Sequence, residues 1–329
     1  MKIFCTILGL FILISQCLIG SEVNAKPVKV FILAGQSNME GQGFISSEAK
    51  RNQGKGSLEF LAKDTGTKAR FSHLLNKDGQ WIMRDDVFIS YLDKNGPLTV
   101  GYGATKEKIG PELGFGTIVG NAFEQPVLLI KCAWGGKSLA IDFRPPSSAK
   151  PPYPLNKKTQ DDIDKNPEIL GKYYRETLSL TKSALKNIKQ LVPDSDGSYE
   201  LAGFAWHQGW NDRISDQYNG EYEKNMVNFI KDIRKDLNAP KLPFVIGETG
   251  MTGPTEIHPR ALSLMKSQEN AATLAEFQGN VVFVPTKTFW REKELSPNSQ
   301  GYHWNCNAET YYLIGEAMGQ AILKLKSTK

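Results

Sequence analysis

With 329 residues, 40% of them hydrophobic and 23% charged, the chain has an ordinary globular composition and enough length to bury a sizeable core. The 40 Lys and Arg against 35 Asp and Glu leave a net charge of +5 that is spread along the sequence instead of gathered in a block, which gives no case for nucleic acid. Intrinsic disorder and collagen-like repeats are excluded, and 4 cysteines are too few for a disulfide scaffold.

The N-terminus reads as a signal peptide, residues 1–25. Lys2 supplies a positive start, residues 3–20 are almost wholly apolar, and Val23-Asn24-Ala25 is a small-residue cleavage site. The apolar run is short for a bilayer span, and no later stretch is long enough for one. The expected product is exported to the periplasm or beyond, with no stable membrane insertion after cleavage. Removal of Cys5 and Cys17 leaves Cys132 and Cys306.

The rest, residues 26–329, reads as a single domain. Residues 28–34 (VKVFILA) form the first expected strand, followed by Gly35-Gln36-Ser37-Asn38-Met39. A serine at a strand's carboxyl end beside a glycine is a candidate nucleophile or, alternatively, a helix N-cap; Met39 departs from the GxSxG elbow. Residues 44–110 are polar and Gly/Lys-rich and read as a loop insertion. The next strand, residues 126–131, leads into Cys132-Ala133-Trp134-Gly135-Gly136-Lys137-Ser138. The GKS ending is not a phosphate loop, because Lys131 stands where its first Gly belongs. Paired glycines at a strand end suit either a plain tight turn or a backbone N–H that approaches an oxyanion.

Residues 142–165, proline-rich over 142–154, read as a second inserted loop. Leu170, Tyr174, Leu178, Leu185 and Ile188 share one helical face, as do Tyr218, Tyr222, Met226, Phe229, Ile233 and Leu237. Between them, the strand at 201–206 ends in Trp206-His207-Gln208-Gly209-Trp210-Asn211-Asp212, where a side-chain amide could donate to an oxyanion. Strands at 242–248 and 280–284 complete a set of five. Gly301-Tyr302-His303-Trp304-Asn305 then precedes a helix over 308–325, and His303 is either a proton carrier or a structural histidine. Fully apolar strands alternating with amphipathic helices predict a mostly parallel five-stranded sheet covered on both faces, with ligands bound at the strands' carboxyl ends.

The order Ser, Gly, amide, His supplies a nucleophile, oxyanion donors and a general base. The segments VFILAGQSNMEG, KCAWGGKSLA, WHQGWND and YHWNCNAETYYLIGEAMG resemble the SGNH-hydrolase superfamily. They look most like the sialate O-acetylesterase-like domain shared with acetylxylan esterases of carbohydrate esterase family six. The resemblance spans residues 28–323. It implies a three-layer α/β/α sandwich of SGNH or flavodoxin-like type and an esterase that removes O-acetyl groups from a carbohydrate, such as an acetylated polysaccharide or a sialic acid-type sugar.

Carried over, Ser37 is the nucleophile and His303 its base. The N–H groups of Ser37 and Gly136 (Gly135 second) and the side chain of Gln208 form the oxyanion hole, and Asn38 and Gly41 shape the nucleophile turn. The acid that should orient His303 is missing from both usual positions, which hold Gln300 and Trp210. Asp212 is the first candidate to replace it and Glu248 the second; a Ser-His dyad oriented by a backbone carbonyl is the third possibility. Trp134, Trp206, Trp210 and Trp304 all lie within three residues of a proposed site residue and are candidate sugar platforms. An acetylated carbohydrate is the expected partner; the oligomeric state stays open. No cofactor or metal is expected, since His73, His207, His258 and His303 include no H-x-x-x-H pair. Two rival readings are a carbohydrate-binding module that has lost catalysis and a short-chain lipid or aryl esterase. Cys132 and Cys306 both flank the site, so a disulfide between them is conceivable.

Overall fold

A computed structural model describes residues 26–327; the signal-peptide reading, residues 1–25, lies outside them. No described helix is long and apolar enough to cross a membrane. The first strand, β1 (Val28–Gly35), is apolar from Val30 onward because it is buried on both faces there. Val30, Ile32 and Ala34 join one hydrophobic cluster while Phe31 and Leu33 join the other, as the two-residue side-chain period of a strand requires. After it come the turn helix α1 (Ser37–Glu40), strands β2 (Val87–Tyr91) and β3 (Lys94–Pro97), and helix α2 (Pro111–Ala122). Then follow β4 (Val127–Ala133), α3 (Lys172–Lys186), β5 (Tyr199–His207), α4 (Tyr222–Asp236), β6 (Phe244–Gly247), α5 (Pro259–Thr273), β7 (Val281–Val284) and α6 (Ala308–Ser327).

These seven strands form one sheet in the order β3-β2-β4-β1-β5-β6-β7, parallel except for the β3 edge. Helices α3, α4 and α5 cover one face through residues such as Tyr174, Phe229 and Leu264. Helices α2 and α6 cover the other through Phe115, Val119, Ile314 and Met318. The result is the three-layer α/β/α sandwich.

The sheet has seven strands where the sequence reading has five. The two extra strands lie inside residues 44–110, so this segment is more than an inserted loop. Val87–Tyr91 reaches the sheet as a short apolar run beside β4, and Lys94–Pro97 pairs back on it as an antiparallel edge. The KNGP sequence of β3 has no strand signal, and an edge strand needs none on its solvent side. The segment's ends are also clamped, since Gly43–Phe44 pairs with Lys108–Ile109. The second insertion carries a helix over Lys157–Lys165.

Register sets up the site. Gly35 of β1 lies opposite Ala133 of β4 and His207 of β5, so all three strands end at one level. The residues that follow each of them therefore meet at the carboxyl edge of the sheet.

Candidate active site

Ser37 is the first residue of α1, and His303 lies in the irregular turn Gly301–Cys306 just before α6. The structure brings them together: His303 Nε2 is 3.0 Å from Ser37 Oγ. The chain can turn so sharply after Ser37 because Gly41 has φ of 93° and packs on Gly110, whose Cα a side chain at Gly41 would strike. Asn38 is buried and ties the two loops, since its Nδ2 donates to the Tyr302 carbonyl at 3.1 Å. Tyr311 Oη lies 2.7 Å from Asn38 Oδ1 and 3.1 Å from the His303 carbonyl, so its one hydrogen is shared between two acceptors, with Asn38 the nearer.

Beneath α1 sits a buried ion pair. Lys131 Nζ donates to Glu112 Oε2 at 2.7 Å, to the Glu40 carbonyl at 2.6 Å and to the Tyr102 carbonyl at 2.7 Å, which uses all three of its hydrogens. Glu112 Oε1 in turn accepts the Gly110 N–H at 2.7 Å. The pair is fully satisfied and fastens the end of the nucleophile turn to α2 and to residue 102.

The oxyanion loop after β4 is held by carboxylates. The half-buried Glu40 accepts the Gly135 N–H; burial raises its carboxyl above the usual range, against that hydrogen bond and nearby Lys131 and Lys108. The Gly135 N–H is therefore committed. Gly136, at φ 68°, presents an N–H with no partner among the described residues, and the Ser37 N–H at the start of α1 is equally uncommitted. These two N–H groups can receive an oxyanion.

Gln208 cannot do so in this geometry. It is 1% exposed, and its Nε2 donates to the Lys137 carbonyl at 2.9 Å and to Asp212 Oδ2 at 2.5 Å. Asp212 is likewise not on His303. It accepts the Leu139 N–H and the Ala140 N–H, both at 2.8 Å, as well as Gln208. Burial pushes its carboxyl up to about 7, against these three hydrogen bonds. The helical turn Trp210–Arg213 explains the orientation. Residues two apart on a helix point about 200° apart; Trp210 packs 5.6 Å from Tyr302 beside His303, so Asp212 faces the opposite way, toward the oxyanion loop.

Glu248 does not reach His303 either, because its carboxylate accepts the Thr286 N–H at 2.7 Å and the Lys287 N–H at 3.2 Å. Among the described residues, His303 Nδ1 has no hydrogen-bond partner. Burial, and after it the Lys108 cation, lowers the His303 pKa to about 4. Neither carboxylate candidate reaches His303, and no backbone carbonyl orients its Nδ1 among the described residues; what the geometry leaves is a Ser37–His303 pair with no orienting acceptor.

Asn211 is the residue that sequence reasoning passed over. Its Nδ2 donates to the Gly136 carbonyl at 2.6 Å and has a second hydrogen to give, while its Oδ1 accepts from Gln36 Nε2 at 3.4 Å. It thus bridges the residue before the nucleophile and the glycine loop. Its signal in the sequence was its place in WHQGWND, three residues past the amide that was chosen.

The tryptophans divide. Trp206 and Trp304 are fully buried core residues; Trp206 lies on β5 with its Nε1 donating to Tyr222 Oη at 3.1 Å. They are not sugar platforms. Trp134 is half-buried against Tyr173 at 4.9 Å, and Trp210 is half-buried beside the exposed Tyr302. Cys132 and Cys306 are both free and buried; the Cys132 thiol lies 4.0 Å from the Thr177 carbonyl on the α3 side, and Cys306 lies 3.7 Å from Gln300 Oε1. No group of three or more His, Cys, Asp or Glu converges as metal ligands among the described residues.

The sequence profile of the family described as carbohydrate esterase, sialic acid-specific acetylesterase, matches residues 27–324. A probable carbohydrate esterase of Arabidopsis thaliana is 23% identical over 223 residues, which make up 67% of this chain and 68% of that protein. The X-ray structure of that Arabidopsis protein superposes with a TM-score of 0.54 at 18% identity, covering 90% of this chain and 98% of its own. NanS superposes with a TM-score of 0.55 at 14% identity over 93% of this chain and 99% of its own. A carbohydrate acetylesterase from Xanthomonas citri gives 0.54 at 12% identity over 92% of this chain and 57% of its own. At such identities the structural likeness is one of fold.

Proposed function

The chain belongs to the carbohydrate esterase, sialic acid-specific acetylesterase family and is thereby a carboxylic ester hydrolase acting as a carbohydrate acetylesterase, and we propose that it works through a Ser37–His303 dyad. Ser37 Oγ attacks the acetyl carbonyl while His303 Nε2 takes its proton. The N–H groups of Ser37 and Gly136 and the Asn211 Nδ2 hold the resulting oxyanion. His303 returns the proton to the sugar oxygen as the C–O bond breaks, which leaves an acetyl-enzyme. Water, deprotonated by the same imidazole, then releases acetate and restores Ser37.

The observation that carries this reading is the 3.0 Å contact between His303 Nε2 and Ser37 Oγ beside two uncommitted N–H groups. The half-buried Trp210 and the exposed Tyr302 next to His303 give a sugar ring an aromatic surface to rest on. Ser37→Ala should leave a folded protein whose acetyl-ester hydrolysis falls by at least ~10³-fold. An unchanged rate removes the dyad. Hydrolysis of acetyl but not octanoyl esters separates this reading from a lipid esterase. The signal-peptide reading makes export part of the proposal, and N-terminal sequencing of the exported protein should begin at Lys26.

A further inference from the structure

The oxyanion hole depends on which way one amide faces. The Asn211 side chain carries a donor on one branch and an acceptor on the other, so a half-turn of the amide would point an oxygen where the hole needs an N–H. Three backbone groups of fixed polarity set the orientation. The Gly136 carbonyl takes one Asn211 Nδ2 hydrogen at 2.6 Å, and a carbonyl can only accept. On the other branch stands Gln36, the buried residue before the nucleophile. Its Oε1 accepts the Gly209 N–H at 3.1 Å and the Asn211 N–H at 3.3 Å, and an N–H can only donate. Gln36 is thereby obliged to turn its Nε2 toward Asn211 Oδ1, which lies 3.4 Å away. The polarity of two backbone N–H groups is relayed through one glutamine to the Asn211 amide.

The main chain of Gln36 joins this arrangement to the nucleophile. Its carbonyl accepts the Met39 N–H at 2.8 Å and the Glu40 N–H at 2.9 Å, which closes the turn that carries Ser37. Its own N–H reaches the His207 carbonyl at 3.4 Å, at the end of β5. Asn211 Nδ2 in turn would stand 4.0 Å from a Cβ placed on Gly136, beside the glycine whose N–H is uncommitted. The residue type matters as much as the position. An ionised glutamate at 36 would satisfy the same two backbone N–H groups but meet Asn211 Oδ1 with a second acceptor.

We propose that Gln36 is a positioning residue for the reaction: it holds the Asn211 amide with Nδ2 toward the oxyanion, and its Nε2 acts on the rate only through Asn211. The inference rests on the esterase reading, with Asn211 as an oxyanion donor. That donor acts mainly in the transition state, so an amide left free to turn costs kcat and spares KM.

The test is a double-mutant cycle in the full chain, with 4-nitrophenyl acetate as substrate and thermal unfolding measured on every variant. Its corners are wild type, Gln36→Glu, Asn211→Ala and the double variant. Gln36→Glu keeps an acceptor for both backbone N–H groups and removes only the donor. It should lower kcat by ~10-fold with KM nearly unchanged when Asn211 is present, and by less than ~2-fold when Asn211 is Ala. Gln36→Met removes the polar end without adding a charge, and it runs the same cycle if the glutamate variant does not fold. The proposal is overturned if the loss is the same in both backgrounds, if Gln36→Glu costs nothing, or if the loss falls on KM. Should Asn211→Ala alone leave kcat unchanged, Asn211 is not an oxyanion donor and the role of Gln36 falls with it. Should Ser37→Ala retain the wild-type rate, the esterase reading itself fails, so the three failures are told apart.

Discussion

The two loops that meet over Ser37 are held by opposite chemistry. On the oxyanion side, Glu40 takes the Gly135 N–H, Asp142 the Ser138 N–H, and Asp212 the Leu139 and Ala140 N–H groups. On the histidine side, residues 301–306 donate to no carboxylate among the described residues. Neutral groups hold them: Asn38 on the Tyr302 carbonyl, Tyr311 on the His303 carbonyl, and Asn305 Nδ2 on the Arg291 carbonyl at 3.0 Å. Trp304, Asn305 and Cys306 all have positive φ, at 52°, 52° and 55°, a conformation that costs non-glycine residues ~1 kcal/mol or more each. Packing must offset that cost, and Trp304 is fully buried, 6.2 Å from Trp290.

The site thus places its negative charge behind the donors that will meet an oxyanion, and none behind the base. Anchored N–H groups need no reorganisation when charge develops on the substrate. An imidazole with no carboxylate at Nδ1, buried and near Lys108, stays neutral and ready to accept a proton. The largest break in this comparison should come from Asp212. Asp212→Ala strands two buried N–H groups and an amide, so kcat should fall by ~10²-fold or more and stability by about 2–4 kcal/mol. If Asp212 were instead the acid of a triad, the loss would appear in catalysis with a shifted histidine pKa and little change in stability. Thermal unfolding beside kinetics decides.

The amides come next. Asn211→Ala should lower kcat by ~10²-fold with KM nearly unchanged, because an oxyanion donor acts mainly in the transition state. Gln208→Ala should act differently: it removes a clamp between the Lys137 carbonyl and Asp212, so its effect should track loss of stability. Equal kcat losses with full stability in both variants would return Gln208 to the hole.

That reversal shows where sequence stops being legible. The five parallel strands were readable because burial on both faces forces unbroken apolar runs, and the long helices because their apolar faces repeat at helical spacing. Their ends were less so: the run from Tyr218 to Leu237 breaks at Glu221 before α4, and the run from Leu170 breaks at Asn187 after α3. Strand β3 was hidden by its Gly and Pro, and Val87–Tyr91 by its polar surroundings. Ser37 and His303 were legible as an ordered pair at strand and loop ends. Which amide of WHQGWND faces the site depends on how a short helical turn is rotated, and spacing along the chain does not report that. The same rotation took Asp212 away from His303. Trp206 lay inside an expected strand, and its burial follows from that strand's core-facing side.

A third experiment runs the comparison backward by supplying the missing charge. Gln300 precedes His303 by three residues, and its carbonyl accepts the His303 N–H at 2.8 Å. Gln300→Asp should raise the histidine pKa, because a nearby carboxylate favours imidazolium, and raise kcat by ~10-fold or less. A gain in rate without a pKa shift would mean that the loop had moved instead.

The smallest effect concerns Lys108, a cation that presses on His303. Two acid-side steps are expected in wild-type kcat/KM: one near about 7, as protonation of Asp212 weakens its hold on the oxyanion loop, and one near about 4, as His303 protonates. A cation near an imidazole disfavours the imidazolium, so removing it raises the pKa. Burial remains the larger cause in His303, so Lys108→Gln should move the lower step up by less than ~1 unit and leave the upper step in place. Asp212→Asn should do the reverse, erasing the upper step from a slowed enzyme while the lower one stays. If Lys108→Gln moved the upper step instead, that step would belong to His303, and the division of labour between the two loops would have to be redrawn with the histidine ionising near neutrality.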